Sequence, residues 1–511
     1  MKTWLGVAAC LVVAVASSAR AADWPQFNVD SRHSGANYAE ATITRANVAT
    51  LHLRYPPVAL PGIADGAPVF LGAAETASGP RNLLFVTTKD GTLVALDADA
   101  GEIVWTRQPD AGPRYTTSSP ALDPGRAFVY SYGLDGKVHK YQVADGTEVV
   151  SGGWPGLATR KPDVEKGSSA LTVATVAGTP FLYVTNGGYP GDAGDYQGHV
   201  TAIDLATGAQ RVFNANCSNQ PCHFAEHGSG DCGRVSADCP AVQTAIWARA
   251  GVVYDEVLNR LFAATGNGTF DAASGGNDWG DSVLAINPDG TGGARGWPLD
   301  SYTPEEFKSL QDTDRDLGST APAIVVAPAG SNVARVGVQS GKDGSVRLLN
   351  LADLSGAGGA GHVGGELQKF PVPQRGEVLT ALAVWVNPED GASWVYVANG
   401  NGISGFKLGV SGGRPALATS APDAWTESLG GTSPIVAGGV LFYAASDGVR
   451  ALDPTSGALL WRDTAPGPFH WESPIVVDGR LYVTDEEARL HVYEPGPEPR
   501  PVRRRLRRAA D

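Results

Sequence analysis

The 511-residue sequence predicts an all-β protein, an eight-bladed β-propeller whose ring is closed by an N-terminal strand. Three observations carry that prediction. Glycine contributes 65 residues without a collagen period, beside 42% hydrophobic residues, so short strands and turns must be many. One strand-turn-strand unit recurs along the chain. The last copy of that unit stops one strand short at Val492-Tyr493, while Leu51-His52-Leu53-Arg54-Tyr55 reads as a strand standing alone near the start.

The unit is an apolar strand, a short turn, a second strand ending in Ala-x-Asp, a Gly turn and a further strand. Its clearest copies are Leu93 to Trp105, with Asp97 and Gly101, and Arg450 to Trp461, with Asp453 and Gly457; both end in Trp. Val200 to Gly208, around Asp204, is a third. Weaker copies place Gln142, Asn287, Asn350, Lys407 and Glu494 at the Asp position, which makes eight units. Each opens on a related phrase: Ala67-Pro68, Ser119-Pro120, Ser169-Ala170, Ala321-Pro322, Thr380-Ala381, Ser433-Pro434 and Ser473-Pro474, with the fourth near Ala245-Ile246-Trp247. Alternation in Leu83 to Thr87 and Leu481 to Thr484 is strand-like, and Asp-Gly at 90–91, 135–136 and 447–448 marks hairpins. Closing the ring with the Leu51 strand removes the open sheet edge. One short helix is expected after Thr303-Pro304-Glu305-Glu306, a capping box with Pro at the first helical position.

The ends are different in kind. Residues 1–21 read as a secretory signal peptide: Lys2, an apolar run from Trp4 to Val15, and Ala19-Arg20-Ala21 before the cleavage point. The apolar run is too short to span a bilayer, Cys10 falls within the discarded peptide, and no later segment is long and apolar enough to cross. The protein is therefore expected to be secreted or periplasmic. Residues 498–511 form a basic, disordered tail with six Arg against two acids, a sum of +4. With Lys2 and Arg20 also subtracted from the net charge of −14, residues 22–497 carry about −20, which excludes a nucleic-acid partner.

Four cysteines lie within an insertion at 214–243: Cys217, Cys222, Cys232 and Cys239. In an oxidising compartment they read as two disulfides, with three possible connectivities. Zinc held with His223 and His227, or a haem attachment at Cys217-x4-Cys222-His223, are the alternatives. Gly228-Ser-Gly230-Asp-Cys-Gly233 follows no strand and opens no helix, so it is no dinucleotide fingerprint. His470-Trp471-Glu472 and Trp425-Thr426-Glu427 open blades and point toward the mouth of the channel or into packing.

The Ala-x-Asp-x-x-Thr-Gly-x-x-x-Trp phrase, together with Asp23-Trp24-Pro25-Gln26-Phe27 and Arg32-His33-Ser34-Gly35, resembles the pyrroloquinoline quinone (PQQ) repeat proteins of the quinoprotein alcohol dehydrogenase-like superfamily. The resemblance runs over nearly all of residues 23–495. In the alcohol dehydrogenases of that superfamily PQQ lies on the propeller axis with calcium, stacked on a Trp. Leu261 to Gly268 resembles the strand whose Gly-Asn supplies a calcium ligand, which places that role on Asn267. Asp316-Leu317-Gly318-Ser319-Thr320 resembles the stretch that begins with the catalytic base, which also contacts the ion, and so points to Asp316. Ser340-Gly341-Lys342 resembles the strand end whose Lys or Arg contacts the quinone, and Trp247 is the candidate for the stacking Trp.

The residue types suit that chemistry. Calcium takes hard oxygens, a carboxylate beside it accepts an alcohol proton, and a cation stabilises charge developing on a quinone oxygen. The chain also departs from the pattern. No two cysteines are adjacent, so the vicinal disulfide is absent. The calcium-binding Glu before Val200 is missing, which leaves Asp192 and Asp195 as the nearby acids. Trp247 lies two residues off the expected spacing to Tyr254-Asp255. No Cys-x-x-Cys-His follows, so no haem c is expected and an enzyme would need a separate electron acceptor. Read without the resemblance, Asn267 is a turn residue between glycines, Asp316 an acid among acids, and Lys342 a hairpin tip.

Two functions follow. One is a PQQ- and calcium-dependent oxidoreductase of alcohols or sugars. The other is a non-catalytic propeller of the cell envelope that binds a protein or polysaccharide partner, as the outer-membrane assembly lipoprotein of the superfamily does.

Overall fold

The computed structural model describes residues 23–108, 114–225 and 239–497. The expected signal peptide, the basic tail and Cys232 lie outside the described residues.

The described residues fold into eight small sheets, antiparallel apart from one added N-terminal strand. The first blade takes its four strands in chain order: Val69–Ala74, Arg81–Thr87, Leu93–Asp97 and Glu102–Arg107. The next six blades begin at Ala121–Leu122, Thr172–Val176, Val252–Asp255, Ala323–Val326, Ala383–Val386 and Ile435–Ala437. The eighth contributes only Ile475–Val477, Arg480–Thr484 and Arg489–Pro495 in sequence. From the second blade on, the opening strand of each blade lies against that of the next, so these short, buried strands ring the axis.

The ring closes as the sequence predicts. Leu51–Leu53 adds antiparallel to Arg489–Pro495, pairing Leu51 with Pro495 and Leu53 with Tyr493. A second N-terminal piece, Ala36–Asn37, pairs parallel with Val436–Ala437 of the seventh blade. The chain's start is thus stitched to its end across two blades, which leaves the last blade no missing strand.

The core is divided into layers between blades. One apolar cluster joins the seventh, eighth and first blades; others join the first to the second, the second to the third, and so on round the ring. The Gly and Trp of the repeat work in these layers. Trp105 ends the first blade and donates its indole N–H to the Val143 carbonyl of the second at 3.1 Å. Gly146, at φ +71°, turns beneath that indole, and a Cβ there would stand 2.7 Å from the ring. Trp425 and Trp461 reach the next blade in the same way, to Pro454 O and Leu51 O.

One sequence expectation changes, and the disulfide expectation holds against its alternatives. The short helix spans Phe307–Asp312, and no side chain caps it. Thr303 is taken up by a bridge to Val363 and by a bond from its hydroxyl to Ser282, while Glu306 turns to Arg347 and Lys369, so neither half of the capping box closes. In the cysteine insertion Cys217 is bonded to Cys239, with Cα atoms 5.9 Å apart, and Cys222 is also disulfide-bonded. Those sulfurs are therefore spent as zinc or haem ligands, and His223 packs edge-on against His199 with Thr201 on its Nε2.

Candidate functional site

In an antiparallel blade the start of the first strand and the turn between the second and third lie at the same end of the sheet. Residues just ahead of each inner strand therefore meet residues of these middle turns. They converge on a cavity of about 370 Å³. Trp247, Asp316 and the less expected Tyr115, Lys166, Arg249 and Trp471 come from the leading segments; Asp192 and Lys342 come from the middle turns.

The sequence-selected residues meet here. Asp316 is 4% exposed; its Oδ2 accepts the Trp247 indole N–H at 3.0 Å, and its Oδ1 lies 3.4 Å from Lys342 Nζ. Oδ1 is buried and has no hydrogen-bond donor. Lys342 also donates to Asp314 at 2.7 Å, and its backbone N–H binds the Asp316 carbonyl. Asn267 is buried behind the lining and reaches it through Asp192. Its Nδ2 donates to Asp192 Oδ2 at 3.3 Å, and a Cβ on the preceding Gly266 would stand 2.8 Å from Asp316 Oδ2. Asp192 further accepts the Tyr196 hydroxyl at 2.7 Å. Asp195 does not join them. It turns to Lys161, whose ammonium takes its carbonyl and lies 3.9 Å from its carboxylate.

Burial sets the electrostatics. It raises the Asp316 carboxyl to about 6; Lys342 and the Trp247 donor pull the other way, and Asp314 adds to the rise. Burial works against the Lys342 ammonium too, but Asp316 and Asp314 outweigh it and raise its pKa. Asp281, on a neighbouring turn, binds the Leu317 N–H at 3.0 Å and is pushed up to about 7, first by burial and then by Asp316. Lys166 moves the opposite way, down to about 7, through burial and the charge of Arg249.

The donor set fits a hard cation. Asp192 and Asp316 line the cavity, the Asn267 amide is bonded to Asp192, and Asp316 Oδ1 accepts no hydrogen bond. The aromatic lining of Trp247, Trp471, Tyr115 and Tyr189 fits a flat ligand, and Lys342, 5.4 Å from the Trp247 ring centroid, supplies a cation beside that face.

Around the rim Asp65 accepts His470 Nδ1 and the Trp471 backbone N–H, both at 2.9 Å, and lies 3.4 Å from Lys89. Glu472 is wholly buried beneath them, and burial followed by Asp65 raises its carboxyl to about 9. Of this group only the His470-Trp471-Glu472 phrase stands out in sequence. Lys166, Tyr115 and Arg249 are missed; each lies two to four residues from a blade opening, a position that marks the cavity only once the ring is formed.

The chain matches the family model described as outer membrane protein assembly factor BamB, over residues 36–223 and 405–495. The chain belongs to this PQQ-repeat family. No curated protein matches it in sequence. Among solved structures the propeller is similar to the quinohemoprotein alcohol dehydrogenase of Comamonas testosteroni at 17% identity and a TM-score of 0.62, covering 95% of this chain and 82% of that one. It is similar to quinohemoprotein alcohol dehydrogenase ADHIIG of Pseudomonas putida HK5 at 16% identity and a TM-score of 0.60, covering 93% and 82%. A europium-containing methanol dehydrogenase aligns at 15% identity and a TM-score of 0.62, covering 92% and 98%. At these identities the likeness establishes the shared propeller fold. Among the described residues no helix is long and apolar enough to cross a membrane.

Proposed function

We propose that the protein is a secreted or periplasmic oxidoreductase of alcohols or sugars that uses PQQ and calcium in this cavity. One observation carries the reading: Asp316, Lys342, Trp247 and Asp192, each selected for a different part of that chemistry, line one cavity, with Asn267 bonded to Asp192. When bound, the quinone supplies a two-electron acceptor for the substrate's hydride and the ion supplies a Lewis acid. Asn267, Asp192 and Asp316 would hold the ion, and Lys342 and Trp247 the quinone.

The chain's own groups do the rest. Asp316 accepts the alcohol proton at Oδ1, the oxygen with no hydrogen-bond donor. In the ion-free protein burial raises its pKa to about 6, which leaves it ionised at neutral pH. Trp247 fixes the carboxylate through Oδ2, which leaves Oδ1 facing the Lys342 ammonium at 3.4 Å. Lys342 spans Asp314 and Asp316 and keeps the acid pair from repelling each other out of register. The electrons leave to a separate acceptor protein or dye.

A second reading is a non-catalytic envelope propeller with a protein or polysaccharide partner. It is favoured by the family model's description and by the absence of adjacent cysteines. The test separates the two. PQQ and Ca2+ are added to the purified chain, tryptophan fluorescence is titrated, and dye-linked oxidation of alcohols and sugars is measured. The oxidoreductase reading expects saturable quenching and turnover lost in Asp316→Asn. Absence of saturable PQQ binding rejects it and leaves the partner-binding reading.

A further inference from the structure

The cavity holds three cations, and they are treated differently. Lys342 is neutralised by Asp314 and Asp316. Lys166 and Arg249 are not neutralised by any bonded carboxylate among the described residues, although they are 6% and 3% exposed. The Lys166 ammonium lies 4.3 Å from the Tyr115 ring centroid and makes no hydrogen bond or ion pair among the described residues. The Arg249 guanidinium donates to three backbone carbonyls, Thr117 at 2.9 Å, Ser168 at 3.1 Å and Asp65 at 3.3 Å; its Nε has no partner. The nearest acid in charge terms, Asp65, spends its oxygens on His470, Trp471 and Lys89.

Two buried like charges facing one cavity are costly unless an anion joins them. The cost is visible in Lys166, whose ammonium is destabilised by burial and by Arg249. The surroundings select the anion's body. Tyr115 faces Lys166 and packs edge-on against Tyr189 at 5.8 Å, and Trp471 lies under Arg249 with its ring centroid 5.7 Å from the guanidinium carbon. We propose that Lys166 and Arg249 form an anion site in the cavity that takes a carboxylate of a planar aromatic ligand. The inference rests on the reading of this cavity as the ligand site and adds the charge its occupant carries. The same chemistry is offered by a carboxylate of the quinone and by an acidic aromatic substrate.

The experiment compares 2-naphthoate with 2-naphthamide by isothermal titration calorimetry on the full chain, then PQQ with its trimethyl ester, in wild type, Lys166→Met and Lys166→Arg. Naphthoate is expected to bind wild type at least about tenfold more tightly than the uncharged amide, the worth of one charge-assisted bond. Lys166→Met should erase that difference and Lys166→Arg should keep it. The acid–amide comparison needs no substitution, so it stands even where a variant folds poorly. Equal affinity for naphthoate and naphthamide, or a preference unchanged in Lys166→Met, overturns the site. The two readings fail separately. Saturable PQQ binding and turnover beside equal affinity for naphthoate and naphthamide would sink the anion site alone. Naphthoate selectivity without PQQ binding would sink the oxidoreductase and leave an acid-binding cavity. If PQQ and naphthoate both lose about tenfold in Lys166→Met, the quinone is the source of the carboxylate; if only naphthoate does, it is a substrate.

Discussion

The Trp247 indole N–H holds Asp316 Oδ2 at 3.0 Å while its ring lies 5.4 Å from the Lys342 ammonium, so one side chain orients the base and faces the cation. The donor favours the ionised carboxyl, so its removal must raise the Asp316 pKa. Trp247→Phe keeps a ring and loses the donor. The acid limb of the pH–rate profile with PQQ and Ca2+ should move up by roughly one unit. A limb that stays in place in Trp247→Phe would show that Asp316 is not the titrating base.

Blade packing makes a second prediction. Gly146 and Gly152 share a left-handed backbone, φ +71° and +60°, but only Gly146 is pressed against a neighbour, with a Cβ position 2.7 Å from the Trp105 ring; nothing lies within 4 Å at Gly152. Gly152→Ala should cost about 1–2 kcal/mol from the backbone alone. Gly146→Ala should cost a further 1–3 kcal/mol or so, because the indole is pinned by its bond to Val143 and cannot retreat. Urea denaturation of both variants checks the difference, and equal costs would contradict the interblade role of the Gly.

The blades were legible because they repeat the same physics: an apolar opening strand throughout and, in the clearest copies, a Gly where φ must be positive with a Trp closing the unit. The closing strand was legible for the converse reason, as Leu51–Leu53 is a strand without a local partner and Arg489–Pro495 an edge without a neighbour. Part of the site was legible because Trp247, Asn267, Asp316 and Lys342 sit in phrases with a recognisable pattern. Asp195 was not separable from Asp192 by sequence, because which of two acids in a Gly-rich turn faces the cavity depends on Lys161, a buried cation that draws Asp195 away. Lys166 and Arg249 were hidden for another reason. A lone cation ahead of a strand reads as solvated until the fold buries it.

Glu472 ties stability to pH. It is wholly buried, accepts the His470 backbone N–H at 2.6 Å through one oxygen and leaves the other without a partner, and stays protonated to about 9. Its folded pKa lies above the unfolded value, so between about 4.5 and 9 the native state binds a proton that the unfolded chain lacks. Stability from this group falls as pH rises through that window. Glu472→Gln removes the dependence. Relative to wild type it should be more stable at pH 9 than at pH 5 by ~1 kcal/mol or more, measured by urea unfolding at the two pH values. A difference of the opposite sign would mean that Glu472 is ionised in the fold.

Lys166 gives the reverse slope in the ligand-free protein. The groups that act on its ammonium are the Tyr115 ring, Arg249, Asp65 and Lys89, and burial with the two like charges outweighs Asp65. With its folded pKa near 7 and an ordinary value of 10.5, the unfolded chain binds the extra proton between those limits, so stability rises with pH across them. Below about 7 the full penalty of the buried charge is carried. Lys166→Met should therefore stabilise the empty protein on the order of 1–3 kcal/mol at pH 6, net of the lost contact with Tyr115, and by less at pH 10. An aromatic carboxylate acts in the opposite sense. It neutralises the ammonium, so 2-naphthoate should raise the unfolding temperature of wild type at pH 6 by the mass-action term and leave Lys166→Met nearly unmoved. A Lys166→Met protein that is less stable than wild type at pH 6 and equally stabilised by naphthoate would mean that the ammonium already has its counter-charge within the fold.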